Sequence, residues 1–210
     1  KCAMNLDPIL RPRTVAVIGA SRSPRTIGHQ VLANLIGHGF TGSVYPVNPH
    51  APSVHSVKAY PSVAAIPDLV DLAVIVVPRQ HVLNVAEECG QAGVRGLVVI
   101  SAGFREIGGE GVEAERRLVE IVERHRMRMV GPNCMGVLNA HPDISMNATF
   151  APTMPPFGQA AFVSQSGALG VSVLDYAAEY GIGFSQFVSV GNKPNVSGND
   201  LLLQWEHDPD

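Results

Sequence analysis

The loop after the first apolar segment carries the earliest residues that suggest chemistry. The stretch "VAVIGASRSPRTIG", residues 15–28, places Gly19 after a β-branched run and Ser21, Arg22 and Arg25 ahead of a helical pattern. Hydroxyl and basic side chains before a helix favour an anion, because backbone N–H groups and the helix dipole attract negative charge there. The segment therefore predicts a site for a phosphate-bearing ligand. The alternative is that Gly19 only forms a turn and that the two arginines are solvated.

A pyridine dinucleotide fits this loop less well. A dinucleotide-binding turn carries closely spaced glycines, and an acid about 20 residues further on binds the ribose hydroxyls. Here the loop holds only Gly19 and Gly28, and the next strand ends in "PVNP", with Asn48 and Pro49 where the acid is needed. A small NAD-binding redox switch is therefore a weaker alternative.

A second chemical pattern, "FVSQSGALG", places Ser164, Ser166 and Gly167 at a strand-to-helix turn. A serine-hydrolase nucleophile elbow would need glycine two residues before the nucleophile, where this chain has Ser164. An anion site built from hydroxyls and backbone N–H groups fits better. The later stretch "SVGNKP" adds Lys193, a mobile cation suited to a transient phosphate, although a solvated loop lysine explains that residue equally well.

The elements that position these loops follow a βα repeat, because short β-branched runs alternate with amphipathic helical patterns. The predicted strands are residues 14–19, 43–47, 72–77, 96–101 and 128–131. The apolar helix faces are Ile27, Val31, Leu32 and Leu35, then Val82, Val85, Ala86 and Cys89, then Leu118, Ile121, Val122 and His125. This α/β pattern predicts a Rossmann-like, doubly wound parallel sheet with its ligand site at the carboxyl ends of the strands.

A second α/β unit begins after the Pro-rich stretch "ATFAPTMPPFG". We place the boundary so that residues 5–147 form the first domain and residues 148–210 begin a second, incomplete lobe. That lobe is predicted to start with a strand at 159–164 and a helix with one apolar face. The face consists of Leu169, Val173, Tyr176 and Tyr180.

Composition excludes several classes of function. Hydrophobic residues make up 46% and charged residues 16%, as expected for a mostly buried sheet. A net charge of -3 with scattered Lys and Arg argues against nucleic acid as a partner. The lack of a long apolar run or a leader argues against a membrane protein, so a cytoplasmic location is predicted. Cys2, Cys89 and Cys134 are too few and too far apart for a disulfide framework or a metal site.

Eight segments, taken in order, resemble the N-terminal half of NDP-forming acyl-CoA synthetases, the ADP-forming acetyl-CoA synthetase family, which is related to the alpha subunit of succinyl-CoA ligase. The segments are "VAVIGASRSPRTIG", "YPVNP", "VDLAVIVVP", "VVISAGFREIGGEG", "GPNCMGVLN", "NATFAPTMPPFG", "FVSQSGALG" and "SVGNKPNV". The likeness runs from about Asn5 to Asp210 and rests on several successive motifs.

The resemblance implies a coenzyme A-binding domain up to residue 147, followed by the start of a flavodoxin-like ligase domain. By similarity, the CoA phosphates would contact Gly19, Ala20, Ser21, Arg22, Pro24, Ile27 and Gly28. The adenosine would contact Val47, Asn48 and Pro49, and the rest of the nucleotide and the pantetheine arm would contact Val77, Pro78, Ser101, Ala102, Asn133 and Cys134. Arg22 or Arg25 would suit the 3′-phosphate.

The family activity implied is that of an acid–thiol ligase, which converts acyl-CoA, ADP and phosphate reversibly to acid, CoA and ATP. The reaction passes through an acyl phosphate and a phosphohistidine, which the helix starting at Ser166 and Gly167, with Lys193 nearby, would receive. The histidine loop and the ATP-grasp domain that binds Mg-ATP or Mg-ADP should lie beyond residue 210, so none of the eight histidines is assigned to phosphoryl transfer.

The partners implied are CoA or acyl-CoA and an ATP-grasp domain or beta-type subunit, and a homo-oligomer is compatible with the family. The residues present would bind CoA without turnover. An alternative from another class is a CoA-sensing regulatory module of a synthetase-like protein acetyltransferase. Cys134 is either near the CoA thiol or a buried structural thiol.

Overall fold

The computed structural model describes residues 5–208, so Cys2 lies outside the described residues. The strands are β1 Thr14–Ile18, β2 Ser43–Val47, β3 Ser53–Val54, β4 Val57–Lys58, β5 Leu72–Ile75, β6 Gly96–Val99, β7 Arg128–Val130, β8 Gly136–Asn139, β9 Met146–Thr149, β10 Phe157–Ser164 and β11 Phe184–Ser189. The α-helices are α1 Asp7–Leu10, α2 Ile27–Gly37, α3 Arg79–Gln91, α4 Glu110–Arg124, α5 Gly167–Glu179 and α6 Gly198–Trp205.

The first sheet contains five parallel strands in the order β2-β1-β5-β6-β7. A single parallel bridge between Val47 and Tyr60 extends it beyond β2, so the path resembles a Rossmann sheet with a rudimentary edge strand. The five strands predicted from the sequence are confirmed. The apolar residues of β1, β5 and β6 are buried because helices cover both faces of the sheet, whereas the edge strand β2 is only partly buried.

Alternate residues of each strand face opposite sides of this sheet. Val15 and Val17 of β1 pack with α1 and α2, whereas Ala16 and Ile18 pack with α3 and α4. The predicted apolar helix faces are confirmed in their central residues. Ile27 is an exception, because it lies in the first turn of α2 and is 46% exposed.

The second sheet has the order β10-β11-β8-β9, with β10 and β11 parallel and the other neighbouring pairs antiparallel. Strands β8 and β9 were not predicted, and this sheet takes strands from both sides of residue 147. The predicted boundary at 147/148 therefore stays a prediction.

The apolar face predicted for α5 points mainly to solvent and not to the sheet. Leu169, Tyr176 and Tyr180 are 54%, 61% and 67% exposed, and the residues buried against the sheet are Gly170 and Leu174, with Ala177. Gly170 faces the Phe187 ring so closely that a Cβ there would lie 2.6 Å from it. Small residues on this side let the helix approach the sheet, which the apolar periodicity alone does not reveal.

Each lobe consists of one sheet and the helices packed on it, and the two lobes share one hydrophobic core and buried polar contacts. Residues of β8, β9 and β11 belong to the same buried cluster as β1 and α2. The Asn34 side-chain amide donates to the carbonyls of Thr149 and Ala151 at 2.8 Å each, and the Asn139 amide donates to Leu10 O at 2.8 Å. The lobes are thus packed together by apolar burial and by satisfied amides.

The contact between β1 and α2 depends on two glycines. Gly19 follows β1 with φ +97°, a conformation that disfavours other residues. Gly28 lies in the first turn of α2, where an added Cβ would be only 2.0 Å from Gly19 O. Gly28 therefore allows the helix to start directly against the backbone of the preceding loop.

We expect Gly28→Ala to lower the free energy of unfolding by about 3 kcal/mol, because its methyl group forces helix and loop apart. Gly37→Ala is the matched control on the same helix, since no atom lies within 4 Å of a Cβ there. That control should be neutral or stabilising by up to about 1 kcal/mol. Urea denaturation of both variants measures the difference, and equal stabilities would contradict this packing.

Candidate functional site

A cleft of about 540 Å³ opens at the carboxyl ends of β1, β2 and β5. It lies at the point where the strand order reverses, because the loop after β1 leads to α2 on one face and the loop after β5 leads to α3 on the other. Open α/β sheets bind their ligands at such switch points. The volume is within the range of small-molecule and cofactor sites.

Eight of the residues predicted to bind a cofactor line this cleft. They are Gly19, Ala20, Ser21, Val47, Asn48, Pro49, Val77 and Pro78. Sequence reasoning missed the far wall, which includes His81, Asn84 and Glu88 on α3. Nothing in the sequence pattern distinguishes this exposed side of α3 from an ordinary solvated helix face.

Asn48 connects the loops after β1 and β2. Its side-chain Nδ2 donates to Ala20 O at 2.7 Å, and its Oδ1 accepts from His50 N at 2.8 Å. An aspartate here would offer no donor to Ala20 O. The structure therefore gives a local reason for the amide where a dinucleotide fold would carry an acid.

The remaining residues predicted for the first loop surround the cleft without lining it. The Arg22 guanidinium turns to the β3–β4 hairpin, where Nε donates to Ser53 O at 2.8 Å. Pro24, Arg25 and Ile27 are exposed. Helix α2 is capped by Thr26, whose Oγ1 accepts from His29 N at 3.3 Å.

Hydrogen bonds join the loops after β5, β6 and β7 into a row. Ser101 Oγ donates to Val77 O at 2.6 Å, and Asn133 N donates to Ser101 O at 3.0 Å. Ala102 is exposed beside Ser101. These predicted residues therefore form a continuous edge that leads from the cleft toward the second lobe.

Cys134 is buried in this row, and its thiol donates to Val99 O at 3.3 Å. Burial raises the pKa of Cys134 to about 12, and the backbone N–H groups of Gly136 and of Cys134 itself offset only part of that effect. The thiol is therefore neutral at ordinary pH and acts as a packing residue. Burial likewise raises the pKa of Cys89 to about 12.

The second predicted site lies where the row meets the second lobe. Ser166 caps α5 and accepts a hydrogen bond from Leu169 N at 3.3 Å, while Gly167 begins the helix next to Met135. The loop with Lys193 follows the neighbouring strand, and Val190 N donates to Ser164 O at 2.9 Å. Lys193 itself is exposed with φ +51°.

Asn192 ties this loop to the first lobe and was not predicted. Its Nδ2 donates to Glu106 Oε2 at 2.6 Å and to Glu115 Oε2 at 2.7 Å, and its backbone N donates to Pro132 O at 2.9 Å. Glu115 is 1% exposed and also contacts Arg105 Nε at 3.0 Å. The sequence signal that could have revealed this contact is Glu115, an acid on the otherwise apolar face of α4.

The two carboxylates near Asn192 depend on their donors. Burial alone would raise the pKa of Glu106, but hydrogen bonds from Asn192 and from backbone N–H groups such as Gly103 outweigh it and hold the pKa below its usual value. We call these contacts of Asn192 with Glu106 and Glu115 the junction between the lobes. The junction depends on amide donors that face the charged oxygens.

Comparisons with known proteins match both lobes. The CoA binding domain model matches residues 13–140, and the succinyl-CoA ligase like flavodoxin domain model matches residues 157–210. Within residues 5–208 every helix is too short or too polar to cross a bilayer. The same residues contain no group of three His, Cys, Asp or Glu side chains arranged to hold a metal ion.

Individual relatives cover nearly the whole chain. The alpha subunit of ADP-forming acetate–CoA ligase II from Pyrococcus furiosus is 48% identical across 94% of this chain. ADP-forming acetate–CoA ligase I from Archaeoglobus fulgidus is 47% identical across 94%. The chain spans 42% and 28% of the lengths of these two relatives.

A solved structure is similar throughout. The dinucleotide forming acetyl-coenzyme A synthetase 1 from Ca. Korarchaeum cryptofilum, in complex with phosphate and ADP, has a TM-score of 0.94 and 46% identity over 98% of this chain and 44% of its own.

We expect Asn192→Asp to lower the free energy of unfolding by about 3 kcal/mol at pH 7, because it replaces a donor by a third carboxylate. Asn199→Asp, in the exposed first turn of α6, should change it by less than about 0.5 kcal/mol. Below pH 4 the difference should shrink as carboxylates become protonated. Denaturation at both pH values tests this, and an unchanged Asn192→Asp variant would contradict the junction.

We also expect native Cys89 and Cys134 to react with iodoacetamide about 100-fold more slowly than the denatured chain at pH 8. The pKa of each thiol is higher in the folded chain than in the unfolded chain. The neutral thiols therefore contribute their full stabilisation below the ordinary pKa of 9.0, and this contribution is lost as the pH rises toward about 12. Protection should therefore fade over that range. Peptide mass spectrometry measures each site, and rapid alkylation of native Cys134 at pH 8 would show that it is accessible.

Proposed function

The chain belongs to the CoA-binding domain family through residues 13–140, and on that premise we propose that its cleft binds coenzyme A. The diphosphate lies against the Gly19–Ser21 backbone, and the adenosine lies between Val47–Pro49 and the α3 wall. The observation that carries this proposal is the cleft at the switch point, lined by eight of the residues that the resemblance indicates for CoA.

The cleft residues fit such a ligand chemically. Gly19 has no side chain to block the approach of a diphosphate, and Gly28 brings the first turn of α2 behind it. Val47, Val63, Val77 and Val85 supply apolar surface for a base. Asn48 provides an amide in place of an acid, which avoids repulsion of a phosphorylated ribose.

The pantetheine arm follows the row of loops from Val77 through Ser101 to Asn133. This row runs from the cleft to the junction where α5 begins, so an extended ligand can reach the second lobe along it. Cys134 contributes a buried wall and not a reactive thiol, because its S–H donates to Val99 O.

The whole protein acts, in this proposal, as an acid–thiol ligase that interconverts acyl-CoA, ADP and phosphate with acid, CoA and ATP. The support is that curated relatives matching this chain are named ADP-forming acetate–CoA ligases and their alpha subunits. The first turn of α5, at Ser166 and Gly167, receives a phosphorylated histidine, because helix N–H groups stabilise anions there. Lys193 assists as a cation on the neighbouring loop.

Further parts are needed for turnover. An ATP-grasp domain or beta-type subunit supplies the Mg-nucleotide, and a homo-oligomer is compatible with the same arrangement. The residues of this chain bind and orient CoA and offer the α5 helix start to the phosphoryl group. The described residues give the regulatory alternative no specific support, so the ligase assignment is preferred.

We expect the 210-residue chain to bind CoA, and not NADH, in titration calorimetry. Asn84→Trp should weaken CoA binding about tenfold or more, because the indole fills the cleft from α3. Glu123→Trp, on the exposed side of α4 and outside the lining of the cleft, is the control and should bind normally. Tight NADH binding without CoA binding, or equal affinity of both variants, would contradict the proposed site.

A further inference from the structure

The part of the chain beside the cleft has an unusual charge distribution. Residues 8–67 contain no Asp or Glu, although the chain has 18. The same residues contain five of its 15 Lys and Arg and four of its eight His. Arg11 and Arg13 precede β1, at the end of the strand opposite the cleft, and Arg11 pairs with Asp208 at 2.7 Å. Arg22, Arg25 and Lys58 remain on the first loop and the hairpin, with no acid in the same stretch of sequence, and they favour an anionic ligand group there.

Two of these histidines are in ring contact beside the first loop. The His29 and His55 ring centroids lie 4.2 Å apart, with an interplanar angle of 46°. His29 Nδ1 lies 3.1 Å from Ser21 O, and because a carbonyl only accepts, Nδ1 carries the hydrogen. In the neutral ring Nε2 is therefore an acceptor, and it becomes a donor to an anion only when His29 is protonated.

Arg22 fixes the hairpin that carries His55. Its Nε donates to Ser53 O at 2.8 Å and its Nη2 to Ser53 Oγ at 3.3 Å, and His55 lies in the turn of that hairpin with φ +49°. The hairpin directly follows β2. In this class of fold the element after the second strand faces the ribose of a bound nucleotide, and a cation there accommodates a ribose phosphate.

We propose that the His29–His55 pair, together with Arg22, binds the ribose 3′-phosphate monoester of the ligand and takes up a proton when it does so. This inference rests on the proposed CoA site and adds a proton-linked subsite to it. The proton passes from solvent to an imidazole, whose new N–H donates to the phosphate oxygen.

The physical reason for the proton uptake is the proximity of the two imidazole rings. Burial and the neighbouring His29 imidazole lower the pKa of His55 below its ordinary value, so the free His55 imidazole resists protonation near neutral pH. A phosphate dianion reverses the balance, because its charge stabilises the imidazolium form. Binding is therefore strongest where the pair is readily protonated, and it weakens as pH rises above about 7.

Among the residues that the structure describes, the charged groups around the pair do not include an acid next to the two rings that could take the place of the phosphate. Arg22 and Arg25 share the first loop with Ser21, and Lys58 on the hairpin lies over the Tyr60 ring at 5.2 Å. His50 lines the near wall of the cleft, and His81 and Glu88 line the far wall on α3. Glu88 is the acid among these groups, and it lies across the cleft from the first loop.

The test is titration calorimetry of the 210-residue chain with CoA and with dephospho-CoA, at pH 6.5 and 8.5 and, at pH 7, in two buffers of different ionisation enthalpy. We expect CoA affinity to fall about fivefold or more between the two pH values and about half a proton or more to be taken up at pH 7. Dephospho-CoA should show neither effect.

The variant His29→Gln/His55→Asn should abolish the proton uptake and bind CoA and dephospho-CoA with more nearly equal affinity. Asn is chosen because it tolerates the positive φ at position 55. His207→Gln is the matched control, because His207 is an exposed histidine two residues after the end of α6, and this variant should behave as the wild type. The second ionisation of the free phosphate, near pH 6, is the same in every titration of CoA, so a difference in proton uptake between variants arises in the bound state.

The outcomes separate the two proposals. Equal proton uptake for CoA and dephospho-CoA by the wild-type chain overturns the histidine subsite while leaving the CoA site intact, and this result does not depend on the folding of a variant. Persistence of the uptake in the double variant also overturns it. Failure of CoA to bind at either pH overturns the proposed function and this inference together.

Discussion

The close approach of α2 to the end of β1 is the constraint on which the site depends. Gly28 packs against the carbonyl of Gly19, leaving no room for a Cβ. Because of this contact the first turn of the helix lies directly behind the loop, and Ala20 O is positioned to accept the Asn48 amide. The floor of the cleft and the link between its first two walls therefore both follow from two residues without side chains.

The same edge of the sheet connects this cleft to the second lobe. Hydrogen bonds join Val77, Ser101 and Asn133, and Asn192 then joins that row to two carboxylates of the first lobe. A ligand with a nucleotide at one end and a reactive group on a long arm matches such an edge. The fold thus separates the cleft proposed for the nucleotide from the junction where group transfer is proposed, while buried contacts hold the two places in a fixed relation.

Much of the first lobe was predictable because a doubly wound sheet reveals itself locally, as β-branched strands such as Thr14–Ile18 alternate with amphipathic helices. The position of the cleft was predictable because ligand sites of such sheets lie at the carboxyl ends of the strands. Strands β8 and β9 were missed because buried polar residues, Asn139 in β8 and Asn147 in β9, interrupt their apolar pattern. The side of α5 that contacts the sheet was missed because Gly170 and Ala177 pack through their small size. The contacts of Asn192 and of His55 join residues distant in sequence, and no local pattern contains such information.

The account is tested most directly by a crystal structure of this chain grown with coenzyme A. It predicts the diphosphate against Gly19 and Ser21, the adenosine between Asn48 and α3, and the pantetheine arm along Ser101 and Asn133. Coenzyme A bound elsewhere on the molecule, or a cleft that stays empty at saturating ligand, would contradict it.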